Sequence, residues 1–243
     1  MIELHAYAAP QENKGECLLC KAPLVYLVRD EAMECAVCGK KEPSKTRCVN
    51  GHYVCSACHA KGVDSLVPLC LAQRSRNPAA ILEQLMDAPF CHMHGPEHHV
   101  LVGASLMTAY ANAGGDVSLQ DALLEMLRRG GQIPGGACGF WGACGAAVSA
   151  GIFVSIATGA TPLTADSWGL ANQTTARALA AIGAIGGPRC CKRDSYLAIR
   201  ETVPFIAEKT GVRMELGEIV CRRSSLNSQC IGRRCPFSST GRD

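Results

Sequence analysis

The 243 residues suffice for one sizeable core plus a small satellite module. An apolar fraction of 48% excludes a disordered chain, and a net charge of +3 is too mild to imply a nucleic-acid partner by itself. Sixteen cysteines, many in CxxC pairs, point to metal or thiol chemistry, and the few aromatics (5%) favour closely packed helices over an aromatic-rich β core.

Residues 1–16 read as an irregular lead-in without the basic start and apolar run of a signal peptide, so a reducing cytoplasm is the expected compartment. Cys17-Leu-Leu-Cys20 follows, then a strand-like LVYLV (24–28), then Cys35-Ala-Val-Cys38, with AMECAVC as the returning strand of a hairpin. Two such knuckles on a hairpin form a zinc-ribbon pattern, in which the metal supplies stability that a small core lacks. A second constellation, Cys48, His52, Cys55 and Cys58, has ligand spacing too, with Gly51 at its turn. The pairing stays open. Either each run of four holds one zinc, or the runs interleave, Cys17, Cys20, Cys48 and His52 holding one ion and Cys35, Cys38, Cys55 and Cys58 the other.

Residues 60–77 read as a connector containing a buried thiol, Cys70. Asn77 is placed to cap a helix that starts at Pro78. Cys91–His99 (CHMHGPEHH) is dense in ligand-type side chains ahead of a helix that starts near Pro96 and ends at Gly114. It supports a metal or proton-transfer site from Cys91, His92, His94, Glu97 and His98, or else a polar helix start with histidines bonded to backbone. Ser118–Arg129 is an amphipathic helix whose Ser118 and Asp121 suggest a capping box.

No charge lies between Arg129 and Asp166. Within that span, PGGACGFWGACG (134–145) sets Cys138 and Cys144 among five glycines at the entrance of an apolar helix. N–H groups and the helix dipole at such an entrance favour a thiolate. The segment Ala143–Ala160 carries serines, a threonine and several glycines, and is expected to be a buried core helix and not a membrane span. Asp166–Gly186 is a further small-residue helix. After it, Cys190 and Cys191 stand among Arg189, Lys192 and Arg193, cations that should also favour thiolates. Asp194 is the expected cap of the next helix, and Pro204 predicts a kink there. VRMELGEIV (212–220) reads as a strand leading to Cys221, and Cys230 and Cys235 sit in a basic loop suited to a metal or cluster.

The motifs HGPEHH, PGGACGFWGACGAA, GGPRCCKRD and NSQCIGRRCPF, behind CxxC…CxxC and CVNGHYVCSAC, resemble an uncharacterised-domain family, domain-of-unknown-function family 5714, over nearly the whole chain. Its members occur alone or joined to SAM-dependent methyltransferases and in company with radical-SAM proteins. The resemblance therefore implies a partner of methyltransferase or radical-SAM type, and no activity is carried over. GACGAAVSAGIFVSIATG is also similar, over that one helix, to redox-active proteins named for a GCAxxG motif among scattered cysteines, which implies a redox or cluster role for Cys144.

The expected fold is mainly α: a zinc-ribbon or treble-clef-like β module at 1–62 with two zinc ions, then a Cys-rich helical domain at 63–243. In the helical domain Cys138, Cys144, Cys190, Cys191, His94 and His98 are candidate catalytic groups. Cys221, Cys230 and Cys235 are candidate ligands of an iron–sulfur cluster, since thiolate softness selects iron–sulfur or zinc. The expected function is a metal-binding redox protein, with an iron–sulfur or dithiol site, that assists electron, sulfur or one-carbon transfer by a partner enzyme. The competing class is a non-catalytic zinc adaptor for a protein or RNA partner.

Overall fold

The run LVYLVRDEAME forms one strand, β2 (Leu24–Glu34), which reaches the second knuckle itself. The expected returning strand at AMECAVC is therefore corrected: AME ends β2, and the chain returns as β3 (Lys41–Cys48). The knuckle is the hairpin turn. Gly39 N–H donates to Cys35 O at 2.8 Å, and Gly39 has the positive φ of 73° that such a turn requires. A short strand, β1 (Gln11–Asn13), pairs antiparallel with Leu24–Tyr26, and β2 pairs antiparallel with β3, with a register irregularity between Tyr26 and Glu31. The sheet order is β1-β2-β3, and a single helical turn, α1 (Ser56–His59), follows.

The structure, a computed structural model, describes residues 11–13 and 17–239, so the rest of the expected lead-in lies outside the described residues. The chain divides into two units, Met1–His59 and Ala60–Asp243.

The second unit is helical: α2 (Leu66–Leu71), α3 (Pro78–Met86), α4 (His98–Asn112), α5 (Leu119–Gly130), α6 (Ala137–Phe140), α7 (Gly145–Ala157), α8 (Asp166–Ile185) and α9 (Cys191–Thr210). Asn77 caps α3, its side-chain oxygen accepting from Ala79 and Ala80 N–H. Helix α4 is buried from His98 to Tyr110 and packs against α3, α5, α7 and α9. An apolar helix without a polar face has to be enclosed in this way. Small residues allow the close approach: a Cβ on Gly103 would stand 2.9 Å from Ser149 O of α7. Helix α7 is likewise a core helix, and no helix among the described residues is long and apolar enough to cross a membrane.

Three local expectations are corrected. Ser118 makes no capping bond to the backbone, because its hydroxyl donates instead to Asp121 Oδ2 at 2.6 Å. Helix α9 begins at Cys191 and not after Asp194; Cys190 is the cap, its sulfur accepting from Arg193 N–H. The stretch 212–220 is not a strand. The described residues of the helical unit include no strand to complete its ladder, and it is tied down by single bonds, Glu215 N–H to Arg76 O at 2.8 Å and Cys221 N–H to Phe237 O at 2.8 Å. Helix α9 runs through Pro204 as one continuous element.

Candidate metal centres

In the N-terminal unit the ligand runs interleave. Cys17, Cys20, Cys48 and His52 form one group and Cys35, Cys38, Cys55 and Cys58 the other, with the donor atoms of each within 4.8 Å of one another. The Cys20 and Cys48 sulfurs are 3.8 Å apart, as are those of Cys38 and Cys55. Zinc–thiolate bonds of about 2.3 Å at tetrahedral angles would put sulfurs about 3.8 Å apart, whereas a disulfide needs about 2 Å. His52 presents Nδ1 3.3 Å from Cys20 Sγ.

The backbone builds both sites. Lys21 takes a left-handed φ of 58° behind the first knuckle, and Gly51 one of 84° behind the third. Cys48 Sγ accepts from His52 N–H and Cys35 Sγ from Cys55 N–H, each at 3.3 Å. The Ala22 N–H and then His52 lower the Cys20 thiol to about 6. Burial opposes ionisation of Cys35, yet the N–H groups of Cys55, Cys38 and Val37 bring it to about 6. Neighbouring Cys38 raises Cys58 to about 12, as expected of crowded thiolates without a cation between them. Both tetrads could hold metal ions such as zinc.

In the helical unit the start of α9 divides the cysteines into two sets. Cys190, Cys221, Cys230 and Cys235 line one narrow cavity of about 20 Å³, partly open to solvent, together with Arg193, Arg223, Tyr196 and Asn227. Arg223 anchors the loop that carries three of these sulfurs, binding Glu83 Oε2 at 2.8 Å and Asp87 Oδ1 at 2.5 Å, while Tyr196 O–H donates to Glu83. Phe237 packs edge-on against Tyr196, with centroids 5.2 Å apart.

The second set is Cys138, Cys144 and Cys191 around Asp194, whose Oδ2 lies 3.8 Å from Cys144 Sγ. A buried ion pair, Arg193 Nε to Asp194 Oδ1 at 3.0 Å, joins the two sets. The expectation of easily ionised thiols is corrected here. Burial raises Cys144 to about 12, reinforced by Asp194, and Cys190 to about 11; Cys138 and Cys191 are raised as well. Cations are present but engaged: Arg193 serves Asp194 and two carbonyls, and Lys192 serves Cys91 and His92 O.

The histidines separate. His94 Nε2 pairs with Asn227 Oδ1 at 3.2 Å, and Asn227 Nδ2 reaches Cys190 Sγ at 3.5 Å, so His94 adjoins the four-cysteine cavity. His98 joins Cys91 and Glu97 in a third group of donor atoms within 4.8 Å of one another. His99 bonds Ile133 O at 3.0 Å and packs against Gly145, where a Cβ would stand 2.1 Å from its ring. Sequence reasoning assigned no role to Lys192 with Cys91; the two are 101 positions apart, and no local spacing signals them.

Residues 66–238 match the family described as "Family of unknown function (DUF5714)". The chain belongs to this family. No curated protein and no solved structure matches it. The matched segment contains the cavity cysteines and the Cys91 group, whereas both tetrads precede it.

Proposed function

We propose that the protein is a metal-dependent redox protein: two zinc ions order the N-terminal module, and the helical domain holds an iron–sulfur cluster on Cys190, Cys221, Cys230 and Cys235. The observation that carries this is the convergence of four cysteine sulfurs, from a helix cap and a separate loop, on one cavity.

The chemistry of the lining supports the same reading. Cys190, raised to about 11 by burial, is a poor nucleophile and a poor partner in a dithiol switch, but metal coordination stabilises its thiolate form. Asn227 donates to the Cys190 sulfur, the kind of contact that tunes a potential. When bound, the cluster would supply one-electron transfer. The chain's residues would fix the sulfurs, limit water and set the surrounding charge. Phe140 and Trp141 are exposed two and three positions from Cys138, which suits docking of a partner enzyme that exchanges electrons, sulfur or one-carbon units. The Cys138–Cys144–Cys191 set would then act as an inner thiol site and not as cluster ligands.

Anaerobic purification of the full chain tests this. About four iron and four sulfide per chain and a visible absorption that dithionite bleaches are expected. Cys221→Ser and Cys230→Ser should lose iron and colour, while Cys144→Ser should keep both. Iron-free protein after anaerobic reconstitution would defeat the proposal and favour the adaptor class.

A further inference from the structure

His98 has one ring nitrogen committed and the other available. Nδ1 bonds Gly95 O at 3.1 Å, which fixes the proton there and leaves Nε2 as the lone-pair nitrogen, 3.7 Å from Cys91 Sγ. A metal bound about 2.3 Å from sulfur and about 2.0 Å from nitrogen at a tetrahedral angle would require a separation of about 3.6 Å. The Glu97 carboxylate closes the group, oriented by the His92 N–H, which donates to Oε1 at 2.9 Å. Glu97 is 0% exposed and His98 1%, so this is no surface acidic cluster.

Lys192, 1% exposed, approaches from α9 and donates to Cys91 Sγ at 3.0 Å and His92 O at 2.9 Å. A metal ion is a further partner that the Cys91 sulfur, His98 Nε2 and the Glu97 carboxylate could share. Charge counting describes that partner. A divalent ion balances the Cys91 thiolate and the Glu97 carboxylate, His98 is neutral, and Lys192 leaves the filled site one charge positive. Three protein ligands also leave a tetrahedral ion one position short, the arrangement of a reactive rather than a structural centre.

We propose that Cys91, Glu97 and His98 bind a single divalent ion of the zinc type, and that its fourth position takes an anionic ligand held beside Lys192. The site shares no ligand with the zinc tetrads or the cluster cavity, so it stands whether or not the cluster reading does. Both of the closed tetrads have four protein donors and would refuse a further anion.

Cobalt is the probe. The full chain, Cys91→Ser and His98→Gln are each produced with cobalt and analysed for metal per chain, with circular dichroism as the folding control. Each variant is expected to lose about one ion relative to the parent, with helicity unchanged. Azide added to the parent should shift the visible cobalt bands, because only an open position admits it. Lys192→Met should keep the cobalt yet bind azide at least about tenfold more weakly. Folded variants that retain the parent's metal count would overturn the proposal. So would an azide-insensitive parent spectrum, a result that needs no variant to fold, or cobalt bands lost in Cys230→Ser and retained in Cys91→Ser. Loss of iron and sulfide alone would strike the cluster reading and leave this one intact.

Discussion

His94 shows how burial, more than any single neighbour, sets a side chain's charge state. The ring is 6% exposed; burial, and then the positive charges of Arg189 and Lys192, lower it from an ordinary 6.5 to about 4, against the bond that Asn227 Oδ1 accepts. The unfolded chain therefore binds a proton between about pH 6.5 and pH 4 that the folded chain does not. Stability contributed by neutral His94 is complete above about pH 6.5 and is lost as pH falls through that window, by on the order of 3 kcal/mol. Urea midpoints followed by helical circular dichroism should fall from pH 7 to pH 5, and His94→Gln should make that dependence shallower, with His98 and His99, also lowered by burial, supplying the remainder. A parent and variant with parallel slopes would show that His94 is not the group responsible. Burial also decides the thiols, there against the nearby cations. Sequence shows cations beside Cys190 and Cys191, but it does not show that Arg193 is spent on Asp194 or that the sulfurs are enclosed. The proximity was legible, whereas the desolvation that decides the sign was not.

At the level of elements, the apolar stretches of α4 and α7 were legible because their composition leaves no polar face, and Asn77-Pro78 announced the start of α3 by local chemistry alone. The failures were non-local. VRMELGEIV has a strand's alternation, yet a strand needs a neighbour to accept its ladder, and this unit offers helices. Asp194 looked like a cap because a helical run follows it, but Cys190 N-caps the helix three residues into what read as a loop. The bundle itself depends on glycine at contact points. Gly103 brings α4 against α7 and α5: its N–H donates to Ser149 Oγ at 2.9 Å, and a Cβ would fall 2.3 Å from Met126 Sδ and 2.9 Å from Ser149 O. Met126 can swing aside, but the Ser149 carbonyl belongs to a helix backbone and cannot. Gly103→Ala should therefore destabilise by about 1–3 kcal/mol, a cost that outweighs the better helix propensity of alanine, read as a lowered thermal midpoint. A midpoint equal to or above the parent's would mean that the two helices separate more easily than their packing implies.

At the scale of the whole chain, the two units differ in what holds them together. The helical unit buries a continuous core from Leu66 to Phe237. In the described part of the N-terminal unit, the buried apolar residues are Met33 and the cysteines Cys17, Cys35, Cys48 and Cys55. One methionine and a few thiols cannot offset the backbone entropy of ordering some forty residues at about 1 kcal/mol or more each. The missing stability has to come from metal, and binding energies of about 10 kcal/mol or more per structural zinc are of the right size. That each tetrad draws on two knuckles far apart in sequence was not legible, since spacing permits either pairing. The interleaving has a consequence: a ligand lost from one tetrad also loosens a knuckle that frames the other, so the two ions should be lost together. A strong chelator at neutral pH should release both, abolish the sheet signal and render residues 17–59 sensitive to protease, while the helical minimum at its usual wavelength persists. Cys38→Ser alone should reproduce the effect, with zinc content falling by more than one ion per chain. Loss of all helicity on chelation would show that the helical unit leans on the module, and release of a single ion by Cys38→Ser would show that the tetrads are energetically separate.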